Sequence, residues 1–439
     1  MNEVRMSVAD MSVFRWQALG WAVAQQTNED GFVLFLNNNS IAYPNDPFPS
    51  RLFVGAKRVI SYPVFSQGLT SLAESQDAFQ TLYAAHRQKP SYLVGYFGYD
   101  LKNQLEDLTS RHPNRLGFPD AYFVEPLWVI DFDLDCVSIE GANAHQLVRS
   151  IRDFVQTTLP AGSAPVVQCR VTPDEYLTNV RRIQDHILAG DVYELNYCIE
   201  FFLENARLNS LTTYQSLNER SPMPFSSFLK VGHRYVMGAS PERFLKKQGR
   251  KILSQPIKGT IRRSQNPAED AQLRTQLLTS EKERAENLMI VDLVRNDLAR
   301  SAETGSVRVD ELFGIYGFQQ VYQMISTISA TLRQGLSWAD ALRNAFPMGS
   351  MTGAPKIRAM QLIDKLEASR RGVYSGALGY ITPDGNFDFS VVIRSLLYDV
   401  QSQYASFSVG SAITYDADPA QEWEECLLKA QAIRQVLVG

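Results

Sequence analysis

Apolar and polar positions follow two different periods along this chain. In the first 165 residues short β-type runs dominate, at 32–36, 92–97 and 122–130, and helical spacing recurs only over 76–88 and 143–157. The Asn37-Asn-Asn-Ser40 stretch reads as a turn. Residues 159–165, rich in Pro and Gly, break both periods and read as a loop. Residues 166–171 then alternate like a strand. Thr172 as N-cap, Pro173 at the first helical position and Glu175 three residues after the cap spell a capping box, and Gly190 closes the helix. Further on, helices are predicted over 266–300, 336–346, 355–368 and 419–437. Strands are predicted over 226–239, 243–247, 307–313, 320–333, 374–382, 387–398 and 404–415. Thr382-Pro-Asp-Gly-Asn386 between two strand runs is a hairpin signal. Helices and strands mix without strict βαβ alternation, which predicts an α+β fold rather than a doubly wound sheet. The composition shift near 160–173 suggests two regions, 1–165 and 166–439.

Composition narrows the function. The 439 residues carry 43 Lys+Arg against 47 Asp+Glu, a net charge of -4, which argues against a general nucleic-acid or membrane-surface binder. With 45% hydrophobic and 21% charged residues the chain can build a large core. The four cysteines, at 136, 169, 198 and 426, form no CxxC pair and no disulfide framework, and the five histidines form no HExxH. No apolar run near the N-terminus suggests a signal peptide, and no run of about 18 apolar residues suggests a membrane span, so a cytoplasmic protein is expected.

Four features could carry chemistry. Lys258 lies in Gln255-Pro-Ile-Lys-Gly-Thr260, an apolar, turn-prone stretch. Partial desolvation would lower its proton affinity and make it a nucleophile, although taken alone it reads better as a surface lysine. Glu283 and Glu286 share a helix face, as do Glu422 and Glu425. Carboxylates from two helices could hold one Mg²⁺. The alternatives are a cap at Ser280 and ordinary ion pairs, Lys282 with Glu286 and Glu425 with Lys429. The loop Met348-Gly-Ser-Met-Thr-Gly-Ala-Pro-Lys356 leads into a helix start that favours an anion, without P-loop spacing, and reads equally as a simple capped helix entry. Arg394, at the end of an apolar strand, suits a carboxylate or a structural ion pair.

Six collinear blocks between about 174 and 437 resemble the chorismate-utilising enzymes, which include anthranilate synthase and aminodeoxychorismate synthase large subunits. They are Ser240-Pro-Glu-Arg-Phe244, Pro256-Ile-Lys-Gly-Thr260, the run from Ser280 to Asp297, Gly349-Ser-Met-Thr-Gly-Ala-Pro-Lys356, the run from Arg371 to Tyr380, and the run from Glu422 to Ala430. The N-terminal region resembles the family only through Val94-Gly-Tyr-Phe-Gly-Tyr-Asp-Leu101. A lysine in the second block, and serine at 350, resemble the aminodeoxychorismate synthase branch.

The resemblance implies two facing antiparallel sheets flanked by helices and built from both halves of the chain. It implies amination of chorismate to 4-amino-4-deoxychorismate, a step toward para-aminobenzoate and folate, with Lys258 as nucleophile and Glu242 as general acid. By the same resemblance Glu286 and Glu425 would ligate Mg²⁺, with Glu283 and Glu422 holding its waters. Arg394 and Tyr374 would bind a substrate carboxylate, helped by Lys429 and backbone near Gly410 and Ala412. Ser350 and Thr260 would also line the substrate site. Ammonia would come from a glutamine amidotransferase partner, because none of the four cysteines sits in a Gly-x-Cys-x-Gly elbow.

The sequence departs from the family at three places. Gln323 stands where a histidine is frequent, a histidine that anthranilate synthases link to pyruvate elimination. Gly410-Ser-Ala412 replaces a glycine-richer stretch. Phe35-Leu-Asn-Asn-Asn-Ser40 replaces a tryptophan-binding motif of relatives, so no tryptophan site is expected. Competing readings are anthranilate synthase, an isochorismate or salicylate synthase using water, and a catalytically idle chorismate-binding subunit.

Overall fold

The structure, a computed structural model, describes residues 3–8, 10–63, 77–133, 136–155 and 166–438. The predicted loop at 159–165, with the suggested regional boundary at 165, lies outside the described residues. Among the described residues a twelve-stranded and a ten-stranded sheet carry the fold. Each is sewn from early and late chain. In the larger sheet Phe32–Asn37 runs antiparallel to Phe225–Val231, and in the smaller Leu93–Phe97 runs antiparallel to Ala377–Ile381. These are the expected facing antiparallel sheets of an α+β fold.

Phe32–Asn37 explains the layering. Phe32, Leu34 and Leu36 point into the core shared with Leu93, Phe97 and Phe389 of the smaller sheet. Val33 and Phe35 point the other way, into a second core under the outer helices Met11–Gln25, Pro173–Leu188 and Pro419–Val438. A strand buried on both faces needs apolar residues at every position, which is why this one reads as an unbroken apolar run.

The capping box at Thr172 and Glu175 forms as predicted, and so does the hairpin at 382–386. Several predicted runs divide. Residues 122–130 become Ala121–Glu125 in the smaller sheet and Trp128–Phe132 in the larger, because Pro126 between them cannot donate to a ladder. Residues 387–398 become Phe387–Val391 and Ser395–Asp399, again in different sheets, and the chain turns through Arg394 with φ 51°. Residues 226–239 fold into a hairpin at Gly232. Its φ is +58° and a Cβ there would meet the Glu29 carbonyl oxygen at 2.4 Å, so only glycine fits. The long helix over 266–300 is two, Pro267–Thr279 and Glu281–Ala299. Ser280 Oγ accepts from the Glu283 amide, but the Ser280 backbone N–H does not donate to the Glu283 carboxylate, so the capping box is not closed. Of 166–171 only Gln168–Cys169 is strand. The pattern of residues 194–203 predicts no element, yet Glu194–Leu203 is a strand and is wholly buried. No described helix is long and apolar enough to cross a membrane.

Candidate active site

Strand Ile257–Arg262 lies along Val321–Thr331 with a register irregularity between Ile257 and Thr260. Gly259 sits in it with φ +94°, and a side chain there would come within 3.0 Å of Glu283 Oε2. Glycine therefore lets helix Glu281–Ala299 lie against the strand. From the same helix, buried Asn287 donates to the carbonyls of Lys258 (3.3 Å) and Met324 (3.4 Å) and accepts from Ser326 Oγ at 2.6 Å. So held, the Lys258 side chain turns inward and is 12% exposed. Its Nζ donates to Glu194 Oε1 at 3.2 Å. The Glu194 side chain is 2% exposed, and its other oxygen, Oε2, is buried without a partner.

Lys258 is not a surface lysine, but its titration corrects the desolvation argument. Burial pulls its proton affinity down, while Glu194, Glu286 and Glu242 together outweigh burial and leave its pKa above the usual lysine value. The resting amine is an ammonium.

Glu242 sits between strands Arg234–Ser240 and Arg243–Gln248, buried. Its neighbour Arg243 does not pair with it. The fully buried Arg243 guanidinium donates to both oxygens of Asp388, at 2.9 and 3.0 Å. Burial pushes Glu242 up to about 7, against the opposing pull of Ser350 and Lys258. Ser350 acts on Glu242 through proximity, since its hydroxyl is buried without a hydrogen bond of good geometry. The two share a small internal cavity with Phe244, Leu245, Val294 and Met348. The turn Gly349–Met351 that carries Ser350 is anchored by Lys356. That buried ammonium donates to both Asp297 oxygens at 2.7 Å and to the Pro347 carbonyl at 2.8 Å.

The four glutamates lie on helices Glu281–Ala299 and Pro419–Val438. Among the described residues, no three carboxylate, histidine or cysteine side chains converge closely enough to hold a metal ion. Lysines engage these carboxylates instead. Lys282 Nζ is 3.3 Å from Glu422 and 3.9 Å from Glu286, so it stands between the two helices, and Lys429 pairs with Glu425. Burial, with Glu283 adding to it, drives Glu286 up to about 7 against Lys258, and burial raises Glu283 with Glu425 adding to it. Burial also pushes Glu425 up, but Lys429, Lys282 and Lys258 leave it below its usual value. The donors are hard carboxylate oxygens in excess over their lysine partners, with an ammonium already seated between helices, and that chemistry fits Mg²⁺.

Arg394 is partly buried, and its guanidinium makes no hydrogen bond or ion pair among the described residues, although it feels Tyr374 and Glu425. The buried Tyr374 hydroxyl contacts Cys198 Sγ at 3.5 Å. Cys198 in turn packs on Gly410, where a Cβ would meet its sulfur at 2.5 Å. Lys429 donates to the Gly410 carbonyl at 2.8 Å. Ala412 is buried opposite Asn196 on Glu194–Leu203. The structure thus links Arg394, Tyr374, Gly410, Lys429 and Glu425, and Glu425 also feels Lys258. Thr260, two residues after Lys258 on the same strand, is exposed. Gln323 lies opposite Thr260, buried, with Oε1 unpartnered. Glu194 is the residue that sequence reasoning misses, and its one signal is a carboxylate opening an apolar stretch.

Residues 43–435 match the chorismate binding enzyme family. The chain belongs to that family. An aminodeoxychorismate synthase of Streptomyces griseus is 41% identical over 367 residues, which is 78% of this chain and 50% of that protein. This chain therefore spans about half the length of that relative. Anthranilate synthase component 1 of Thermus thermophilus is 35% identical over 383 residues, 82% of each chain. In three dimensions this chorismate binding enzyme is similar to anthranilate synthase component I from Streptococcus pneumoniae, with a TM-score of 0.76 and 27% identity, covering 91% of this chain and 95% of that one.

Proposed function

We propose that this chain is the aminating subunit of an aminodeoxychorismate synthase, converting chorismate and ammonia to 4-amino-4-deoxychorismate and water. The observation that carries this reading is the inward Lys258 amine beside two buried carboxyls, Glu194 and Glu242. A hydroxyl is a poor leaving group, so splitting the substitution into two displacements lowers the barrier. The Lys258 nitrogen adds to ring C2 as the C4 hydroxyl departs with a proton from Glu242, leaving as water. Ammonia then bonds to C4, the bond from C2 to Nζ breaks, and the surplus ammonia proton returns to Glu242. Glu242 suits this work because a pKa of about 7 keeps much of it protonated near neutral pH. The Arg394 guanidinium, with no hydrogen-bond or ion-pair partner among the described residues, is available for a substrate carboxylate.

Glu286 and Glu425 would hold Mg²⁺, with Glu283 and Glu422 on its waters. Once bound, such an ion neutralises a substrate carboxylate and withdraws electron density from the ring. Ammonia would be supplied by a glutamine amidotransferase, since none of the four cysteines at 136, 169, 198 and 426 has an elbow setting.

Purified protein with chorismate, Mg²⁺ and ammonium is expected to form 4-amino-4-deoxychorismate by mass spectrometry. Lys258→Ala is expected to lose nearly all of that product. Anthranilate or isochorismate as product, or an unimpaired Lys258→Ala variant, would overturn the reading. Mg²⁺ is expected to raise the melting temperature of the wild type, and Glu425→Gln to remove most of that shift.

A further inference from the structure

A nucleophilic amine must first lose its proton, and the ligand-free site holds Lys258 as an ammonium. Several carboxyls act on it electrostatically. Glu242 does so from its turn, Glu283 and Glu286 from helix Glu281–Ala299, and Glu425 from helix Pro419–Val438. Among the described residues only Glu194 comes within ion-pair distance of Nζ, at 3.2 Å. Glu194 is almost fully enclosed, and its second oxygen has no donor. A purely structural ion pair would be expected to saturate both oxygens of so deeply buried a carboxylate. The open oxygen leaves capacity for a proton. The backbone is rigid at this point: the Asn196 amide donates to the Thr352 carbonyl at 2.8 Å, and Tyr193 to Ala354 at 2.7 Å.

We propose that Glu194 is the catalytic base for Lys258, taking a proton from Nζ as the amine bonds to the ring and returning it when that bond breaks. The inference rests on the proposed amination. In the forward step one Nζ proton passes to the Glu194 carboxylate and the freed lone pair forms the bond to C2. In the return step the bond to C2 breaks, its electron pair stays on nitrogen, and Glu194 gives the proton back. Atoms and charge balance without another reactant.

The test compares wild type, Glu194→Gln and Glu194→Ala with chorismate, Mg²⁺ and ammonium. Base loss is expected to lower kcat of the Gln variant about a hundredfold at neutral pH, while KM for chorismate stays within about twofold. The ratio of its rate to that of the wild type should then climb with pH, as solvent takes over the Lys258 proton while the Glu242 limb is common to both. If Glu194 merely kept Lys258 charged, its removal would make the amine more nucleophilic. A Gln variant as fast as wild type, or faster, therefore overturns the proposal. Added formate is expected to restore part of the Ala variant's rate by standing in for the missing carboxylate. An Ala variant indifferent to formate, or fully active without it, overturns the proposal too. A wild type that makes no 4-amino-4-deoxychorismate would instead overturn the proposed function.

Discussion

Among the described residues Glu242 makes no ion pair, because Arg243 is spent on Asp388 and Lys258 acts on it only from longer range. Its pKa of about 7 therefore reflects desolvation first. The sign of the resulting pH dependence follows directly. A general acid works only while protonated, so amination is expected to fall as pH rises through about 7. Glu242→Gln should lower kcat by about 10²–10⁴-fold and lose that alkaline limb, both readable in a pH series. Arg394 makes a second prediction. Its guanidinium has no partner among the described residues, and its backbone is left-handed, with φ 51°. Asparagine tolerates that conformation and carries no charge to desolvate. Arg394→Asn is expected to raise unfolding stability by about 1 kcal/mol in denaturant melts while raising KM for chorismate at least about tenfold. At this scale the sequence was legible where a residue sits in a block of family-like neighbours, as Lys258 and Glu242 do. Glu194 was not legible, since its meaning comes from a partner 64 residues away.

Between elements, the buried pair of Lys356 and Asp297 ties the start of helix Lys356–Leu366 to the end of Glu281–Ala299 and fixes the turn bearing Ser350. Lys356→Met would strand a buried carboxylate and is expected to cost about 3–5 kcal/mol in urea unfolding. Adding Asp297→Asn should recover much of that loss, a coupling that a double-mutant cycle measures. The helix after Thr172 was legible because its capping box is local, but Met11–Gln25 and Ser210–Arg220 were not predicted, and 266–300 was read as one helix across the cap at Ser280. Strands were read poorly at their ends. An apolar run looks the same whether it stays in one sheet or crosses to the other, and the crossings at Pro126 and Arg394 depend on packing that lies far away in sequence.

At the level of the whole molecule, neither residues 1–165 nor 166–439 can complete a sheet alone, because Phe32–Asn37 needs Phe225–Val231 and Leu93–Phe97 needs Ala377–Ile381. Each segment expressed by itself is expected to lack a cooperative thermal transition, while the intact chain shows one by calorimetry. The mixing of elements that predicts an α+β fold was legible. The strand order was not, because long-range pairing leaves no local periodicity.

That pairing also sets a timetable for synthesis. Glu194–Leu203 takes its long neighbour from Tyr404–Ile413, near the end of the chain. A polypeptide still on the ribosome carries this buried strand with its main partner unmade until about 200 further residues have been translated. Its apolar edge is exposed for that whole interval, so correct folding depends on what shields the nascent chain as well as on the finished molecule.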